Sequence, residues 1–153
     1  MAAEVVFTRG VSVTELIERQ LQGTTTSLEA ALYRFNNPRL ARALEDAARR
    51  GVRIRLLLDR NKYEESPAAR EVLSNGRIPF RLLFGREGRG SKMHHKFVIL
   101  DGRAVLTGSY NWTLESEHQN YENLLILRAP EEVEPYAREF EMLWATATEA
   151  GRR

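Results

Sequence analysis

Residues 93–113 read MHHKFVILDGRAVLTGSYNWT, and their polar side chains are not spaced like those of a solvated surface. His94 and Lys96 stand two apart at the head of an apolar run. On an extended chain they project from one face, roughly 7 Å from each other. Lysine is rarely placed at a buried strand without a partner. A second run ends in Gly108, Ser109, Tyr110 and Asn111, where Ser109 and Asn111 again share a face if the chain stays extended. Gly108 leaves room for a close backbone approach. The Asp101-Gly102 turn folds one run back on the other, which brings imidazole, ammonium, hydroxyl and carboxamide together. With no acid among them, such a set binds an anion and holds a nucleophile beside it.

The elements that position this cluster follow from hydrophobic periodicity. Residues 4–8 read as a strand and 11–21 as a helix, with Val13, Leu16, Ile17 and Leu21 on one face. Residues 26–35 fit a strand or a helix, with Tyr33 and Phe35 favouring a strand. Pro38 opens a helix with Leu40, Leu44 and Ala47 or Ala48 inward, stopped at Gly51. Residues 52–58 form a β-branched and leucine-rich strand ending at Asp59. Ser66 and Pro67 cap a short helix ending before Asn75-Gly76, and 79–84 is a strand. Residues 85–92 (GREGRGSK) read as a flexible basic loop. Residues 93–100 and 104–107 pair as a hairpin, 121–128 is a further strand, and 130–144 a closing helix. In that helix Val133, Tyr136, Phe140 and Leu143 or Trp144 face inward. β-α-β alternation followed by antiparallel hairpins predicts an α/β fold, a mixed sheet with helices on both faces, in one domain over 1–153.

Composition narrows the field. The 153 residues, 42% hydrophobic and 29% charged, carry a net charge of only +2, ordinary for a globular chain. Charge is uneven, however. Between 77 and 103, Arg77, Arg81, Arg86, Arg89, Lys92, Lys96 and Arg103 meet only Glu87 and Asp101, a local excess suited to a polyanion. The absence of cysteine excludes disulfides, thiolate metal sites and a catalytic thiol. No apolar run reaches the ~18 residues of a membrane span, and the first residues lack a signal-peptide pattern.

Two other chemistries fail on spacing. In 85–92 Ser91 precedes Lys92 and a strand follows, whereas a phosphate-binding Walker loop ends Gly-Lys-Ser/Thr and opens a helix. Metal ligation finds no set of convergent ligands. His94 and His95 are adjacent and point apart, and Asp59 alone at a strand end reads as a turn or cap residue. No metal or other cofactor is expected.

The pattern His-x-Lys-(x)4-Asp-(x)6-Gly-Ser-x-Asn, filled by His94, Lys96, Asp101, Gly108, Ser109 and Asn111, resembles the signature of the phospholipase D superfamily. The likeness extends to residues 32–61 and to Tyr121-Glu122-Asn123. It is nearest the small single-motif branch, which includes bacterial Nuc-type endonucleases and the mitochondrial phospholipase D/Zucchini group. The resemblance implies a phospholipase D-like fold and a metal-independent phosphodiesterase. In it His94 is the nucleophile that forms a phosphohistidine, and Lys96, Ser109 and Asn111 bind the phosphoryl oxygens. Glu122 orients the His94 ring, while Asp101 and Gly108 serve structure.

In-line displacement also requires an acid for the leaving oxygen. With one motif per chain, and His118 in no comparable context, the resemblance implies a homodimer whose shared site places two copies of His94 on the symmetry axis. An endonuclease acting on DNA or RNA is the first expectation. A phospholipid hydrolase ranks behind it, then a catalytically silent nucleic-acid-binding dimer. A periplasmic or secreted location is expected ahead of a cytoplasmic one. His95 is read as a neighbour of the site or a packed strand residue, His118 as a solvated loop residue, and Tyr110 and Trp112 as core or dimer-interface aromatics.

Overall fold

A computed structural model describes residues 2–149. In chain order the elements are β1 (Glu4–Phe7), α1 (Val13–Gln22), β2 (Ser27–Leu32), α2 (Pro38–Arg49), β3 (Arg53–Asp59), α3 (Arg60–Glu65), α4 (Pro67–Val72), β4 (Phe80–Leu83), β5 (Lys96–Leu100), β6 (Ala104–Gly108), α5 (Leu114–His118), β7 (Asn123–Leu127), α6 (Pro130–Thr146) and the two-residue β8 (Thr148–Glu149). The strands form one sheet in the order β1-β7-β6-β5-β2-β3-β4-β8. β2, β3 and β4 run parallel; the other neighbours are antiparallel. The mixed sheet predicted from the alternation of elements is therefore the one observed.

Period-two patterning divides the central strands between two cores. Leu28, Ala30 and Leu32 of β2, Leu56 and Leu58 of β3, and Val98 and Leu100 of β5 pack with α1 and α2 on one face. Ala31, Leu57, Phe97 and Ile99 point the other way, against Val133 and Phe140 of α6. Strands buried on both faces have to be apolar throughout, which is why 97–100 carries no polar residue. Tyr110 and Trp112 are fully buried in the first core, which settles them as core aromatics.

Local chemistry sets the element ends. The Asn37 side chain accepts from the N–H groups of Arg39 and Leu40 ahead of Pro38, so α2 starts where its orphan donors find an acceptor. Asp101 adopts a left-handed backbone (φ 54°) at the β5–β6 turn. Its Oδ1 accepts from Thr26 N (2.7 Å), Ser27 N (3.1 Å) and Thr26 Oγ1 (2.9 Å), and both oxygens accept from Thr25 N. Its own N–H returns a bond to Ser27 O (2.8 Å). One carboxylate thus joins the hairpin turn to the start of β2.

Three expectations change. α3 and α5 are helices that periodicity did not show, because neither completes two turns. The hairpin's first strand begins at Lys96, not Met93. His94 and His95 precede it on an extended path held by the bond from Tyr33 N to His95 O (2.8 Å). The basic loop 85–92 is a hydrogen-bonded double turn and not an open flexible segment. Gly85 N donates to Ser91 O (3.1 Å), Ser91 N to Gly88 O (2.9 Å), and Glu87 N to Ser91 Oγ (2.8 Å). A side chain at Gly85 would meet the Lys92 backbone at 2.3 Å.

Candidate active site

Apart from Asp101, which lies at the opposite end in the β5–β6 turn, the motif residues gather at one end of the sheet, where β2, β3 and β6 end and β5 and β7 begin. Lys96 pairs with Leu32 of β2. The β5–β6 register aligns Phe97 with Thr107, which puts Lys96 beside Gly108. Open α/β sheets commonly place ligands outside strand ends of this kind.

The His94 ring packs against Tyr33, with centroids 4.4 Å apart. Lys96 Nζ lies 3.3 and 3.4 Å from its two ring nitrogens and donates to the His94 carbonyl at 3.0 Å. Burial, then the charges of Lys96 and Lys92, pull the imidazole pKa below its usual range. Both effects favour the neutral ring, in which one nitrogen carries an available lone pair. Burial lowers the Lys96 pKa, opposed by the charge of Glu122.

Upstream, the backbone is pinned by Asp59, only 1% exposed. Its Oδ1 accepts from Met93 N (2.9 Å) and its Oδ2 from Lys62 N (3.0 Å). The carboxylate read as a strand-end cap does cap α3, and it also fixes the residue before His94.

The second half of the motif is organised by Glu122. Ser109 Oγ donates to its Oε1 (2.6 Å), and Ser116 Oγ and Asn120 Nδ2 donate to its Oε2 (2.8 and 3.1 Å). Ser116 Oγ accepts in turn from Asn111 N (3.2 Å), and Asn123 N donates to Ser109 Oγ (3.0 Å). The role implied for Glu122, orienting the His94 ring, is not what this carboxylate does within one chain. β6 stands between β5 and β7, so the acid reaches Ser109 first. Asn111 Oδ1 is buried without a hydrogen-bond partner, the one such side-chain atom found among the described residues. Unsatisfied buried polar atoms are costly and uncommon. This one belongs to the motif's carboxamide, a group suited to hold a ligand.

At Gly108 an added Cβ would lie 2.3 Å from Asn123 O and 2.9 Å from Asn123 Oδ1. The β6–β7 pair closes only because that side chain is missing. Gly108→Ala is expected to cost about 3 kcal/mol of stability, read as a lowered denaturant midpoint. An unchanged midpoint would mean that the two strands part freely there.

His95 turns toward α6, with Nε2 2.9 Å from Glu139 Oε2 and its ring edge-on to Phe97. It lines a groove of about 740 Å³ together with Phe84, Arg86, Lys92, His94 and Glu139. His118 ends α5 and is exposed. Sequence reading left Tyr33, Asp59 and Ser116 out of the site. Tyr33 directly follows β2 and Asp59 is the last residue of β3, strand-end positions that would have marked them; Ser116 left no signal.

A family model described as "Cardiolipin synthase, PLD-like domain" matches residues 17–144. The chain belongs to the phospholipase D superfamily. Among its superfamily relatives, a mitochondrial cardiolipin hydrolase of Xenopus laevis is 40% identical over 126 residues, 82% of this chain and 58% of that protein. The chain thus spans little more than half the length of that relative. The crystal structure of Nuc from Salmonella typhimurium, a phospholipase D family member, superposes with a TM-score of 0.86 at 25% identity, covering 97% of each chain. NucT from Helicobacter pylori shares the fold with a TM-score of 0.85 at 18% identity, over 97% of this chain and 99% of that one. The superfamily motif occurs once in these 153 residues, and the likeness to Nuc over 97% of each chain and to the cardiolipin hydrolase puts the chain with the single-motif branch.

Proposed function

We propose that this chain is a metal-independent phosphodiesterase of the phospholipase D superfamily, an endonuclease that works as a homodimer with one shared site. The observation that carries this reading is the His94 imidazole set against Tyr33 with the Lys96 ammonium at contact distance. A ring nitrogen of His94 attacks phosphorus and forms a P–N bond while the P–O bond to the leaving group breaks. The leaving oxygen takes a proton from the His94 imidazolium of the second copy. Water then attacks phosphorus, gives a proton to that second imidazole, and the P–N bond breaks to release a phosphate monoester. A bound phosphodiester's negative charge raises the proton affinity of the copy acting as acid. In this reading Lys96 Nζ and the Asn111 amide N–H donate to the phosphoryl oxygens, and the Ser109 hydroxyl does so once it turns from Glu122, since phosphoryl transfer depends mainly on positioned donors and charge.

Support for the second copy comes from the surface beside the site. Phe7, Val11, Leu114 and Tyr121 are exposed, Tyr121 to 90%. Phe7 pairs with Asn123 in the β1–β7 ladder, and Tyr121 precedes Glu122. An apolar rim around a site that needs a second imidazole suits an isologous interface. Exposed Arg86 and Lys92 line the groove next to His94 and favour a polyanion.

The cardiolipin hydrolase relatives favour a second reading, hydrolysis of a phospholipid. Wild type and His94→Ala should be assayed in excess EDTA on single-stranded DNA, RNA, and vesicles of cardiolipin or phosphatidylcholine. Cleavage of nucleic acid that survives chelation and requires His94 is the expected result. Lipid turnover alone would replace the nuclease reading with the second. Loss of activity in EDTA would overturn metal independence, and an active monomer on sedimentation would overturn the shared site.

A further inference from the structure

Tyr33, 8% exposed, has three ammonium groups around its ring. Lys96, Lys62 and Lys92 Nζ lie 5.3, 5.8 and 6.0 Å from the centroid. They come from β5, α3 and the last residue of the basic double turn, so no single helix face or strand accounts for their convergence. Of the three only Lys62 is ion-paired, to Glu65 at 3.3 Å, while the charge of Glu122 reaches Lys96 from beyond ion-pair distance and Lys92 has no ion pair among the described residues. Contact with an aromatic face stabilises an ammonium by only about 0.5–1 kcal/mol where solvent reaches it, little against the mutual repulsion of three. The arrangement is nevertheless built. Asp59 takes the Lys62 N–H on one oxygen and the N–H of the Lys92–Met93 peptide on the other, so one buried carboxylate sets both lysine backbones relative to His94.

We infer that Lys62 and Lys92 form a second anion subsite, one aromatic ring beyond the His94 imidazole, which takes the phosphate neighbouring the scissile one in a polynucleotide. The inference rests on the phosphodiesterase reading above and adds a specificity. A diester embedded in a chain of phosphates is preferred to an isolated diester, because the neighbouring phosphate neutralises charges that otherwise repel.

The test compares kcat/KM for a single-stranded oligonucleotide with that for bis(p-nitrophenyl) phosphate, which has no neighbouring phosphate. The proteins are wild type, Lys92→Met, Lys62→Met and the double variant. Arg103→Met, at the far β5–β6 turn, removes the same unit of charge elsewhere. The double variant should lower the oligonucleotide-to-diester ratio about tenfold and flatten its salt dependence, and Lys92→Met alone should lower it by a smaller factor. Arg103→Met should keep the wild-type ratio. If wild type cleaves both substrates and the ratio is the same in every variant, the subsite is overturned while the phosphodiesterase reading stands. If wild type cleaves neither, that reading falls and the inference with it. A shift seen between cardiolipin and phosphatidylcholine vesicles, but not with the oligonucleotide, overturns the polynucleotide assignment.

Discussion

His94→Ala is expected to reduce phosphodiester turnover by roughly ten-thousand-fold or more, because in the proposed mechanism it removes both the nucleophile and, from the second copy, the acid. The fold should survive. The imidazole is solvent-accessible, and the nearest bond to this residue, from Lys96 Nζ, ends on its backbone carbonyl, which alanine retains. An unchanged thermal midpoint with lost activity would separate chemistry from folding, whereas wild-type rates in the alanine variant would remove His94 from the mechanism. The pH profile provides an independent check. Burial against Tyr33, followed by the charges of Lys96 and Lys92, depresses the His94 pKa, so the imidazole stays neutral below the ordinary histidine value of about 6.5. The acidic limb of kcat/KM should therefore lie below pH 6.5, and Lys92→Met should move it upward by removing a positive neighbour. A limb above 6.5 in wild type would contradict the electrostatics of the site.

Asp101→Ala should cost about as much stability as Gly108→Ala while leaving every phosphate-binding group chemically intact. The carboxylate accepts from three consecutive backbone N–H groups and the Thr26 hydroxyl. Truncation strands those donors at the junction of β2 with the β5–β6 turn, at a cost of roughly 3 kcal/mol. Burial raises the Asp101 pKa, but the bonds from Thr26, Thr25 and Ser27 outweigh it and hold the group at about 2. The unfolded value is about 3.9, so the unfolded chain takes up the proton first as pH falls. The ionised carboxylate's contribution, about 2 kcal/mol, is whole above the unfolded pKa and is lost as pH drops through the folded one. Between pH 6 and pH 3 the stability difference between wild type and Asp101→Ala should therefore narrow by about 1 kcal/mol, measured by denaturant unfolding. A gap that stays constant would mean that the bonds do not depend on charge.

Much of this molecule was legible before any coordinates. The apolar strand runs 52–58 and 97–100 and the Asn37-Pro38 start of α2 carry their own instructions, because burial pattern and capping are local properties. The motif announced His94, Lys96, Ser109 and Asn111 through residue type and spacing alone. Other features depend on which strand lies next to which. Antiparallel pairing of β2 with β5 brings Tyr33 against His94, and the parallel β3 beside β2 delivers Asp59 and Lys62 to the same corner. The interposed β6 turns Glu122 toward Ser109 instead of the imidazole. Side-chain periodicity tells each strand which face to bury but carries no record of its neighbours. Neighbours are chosen by long-range pairing and shared burial, so the motif was written in the sequence while the surroundings of its histidine were decided by the folded sheet.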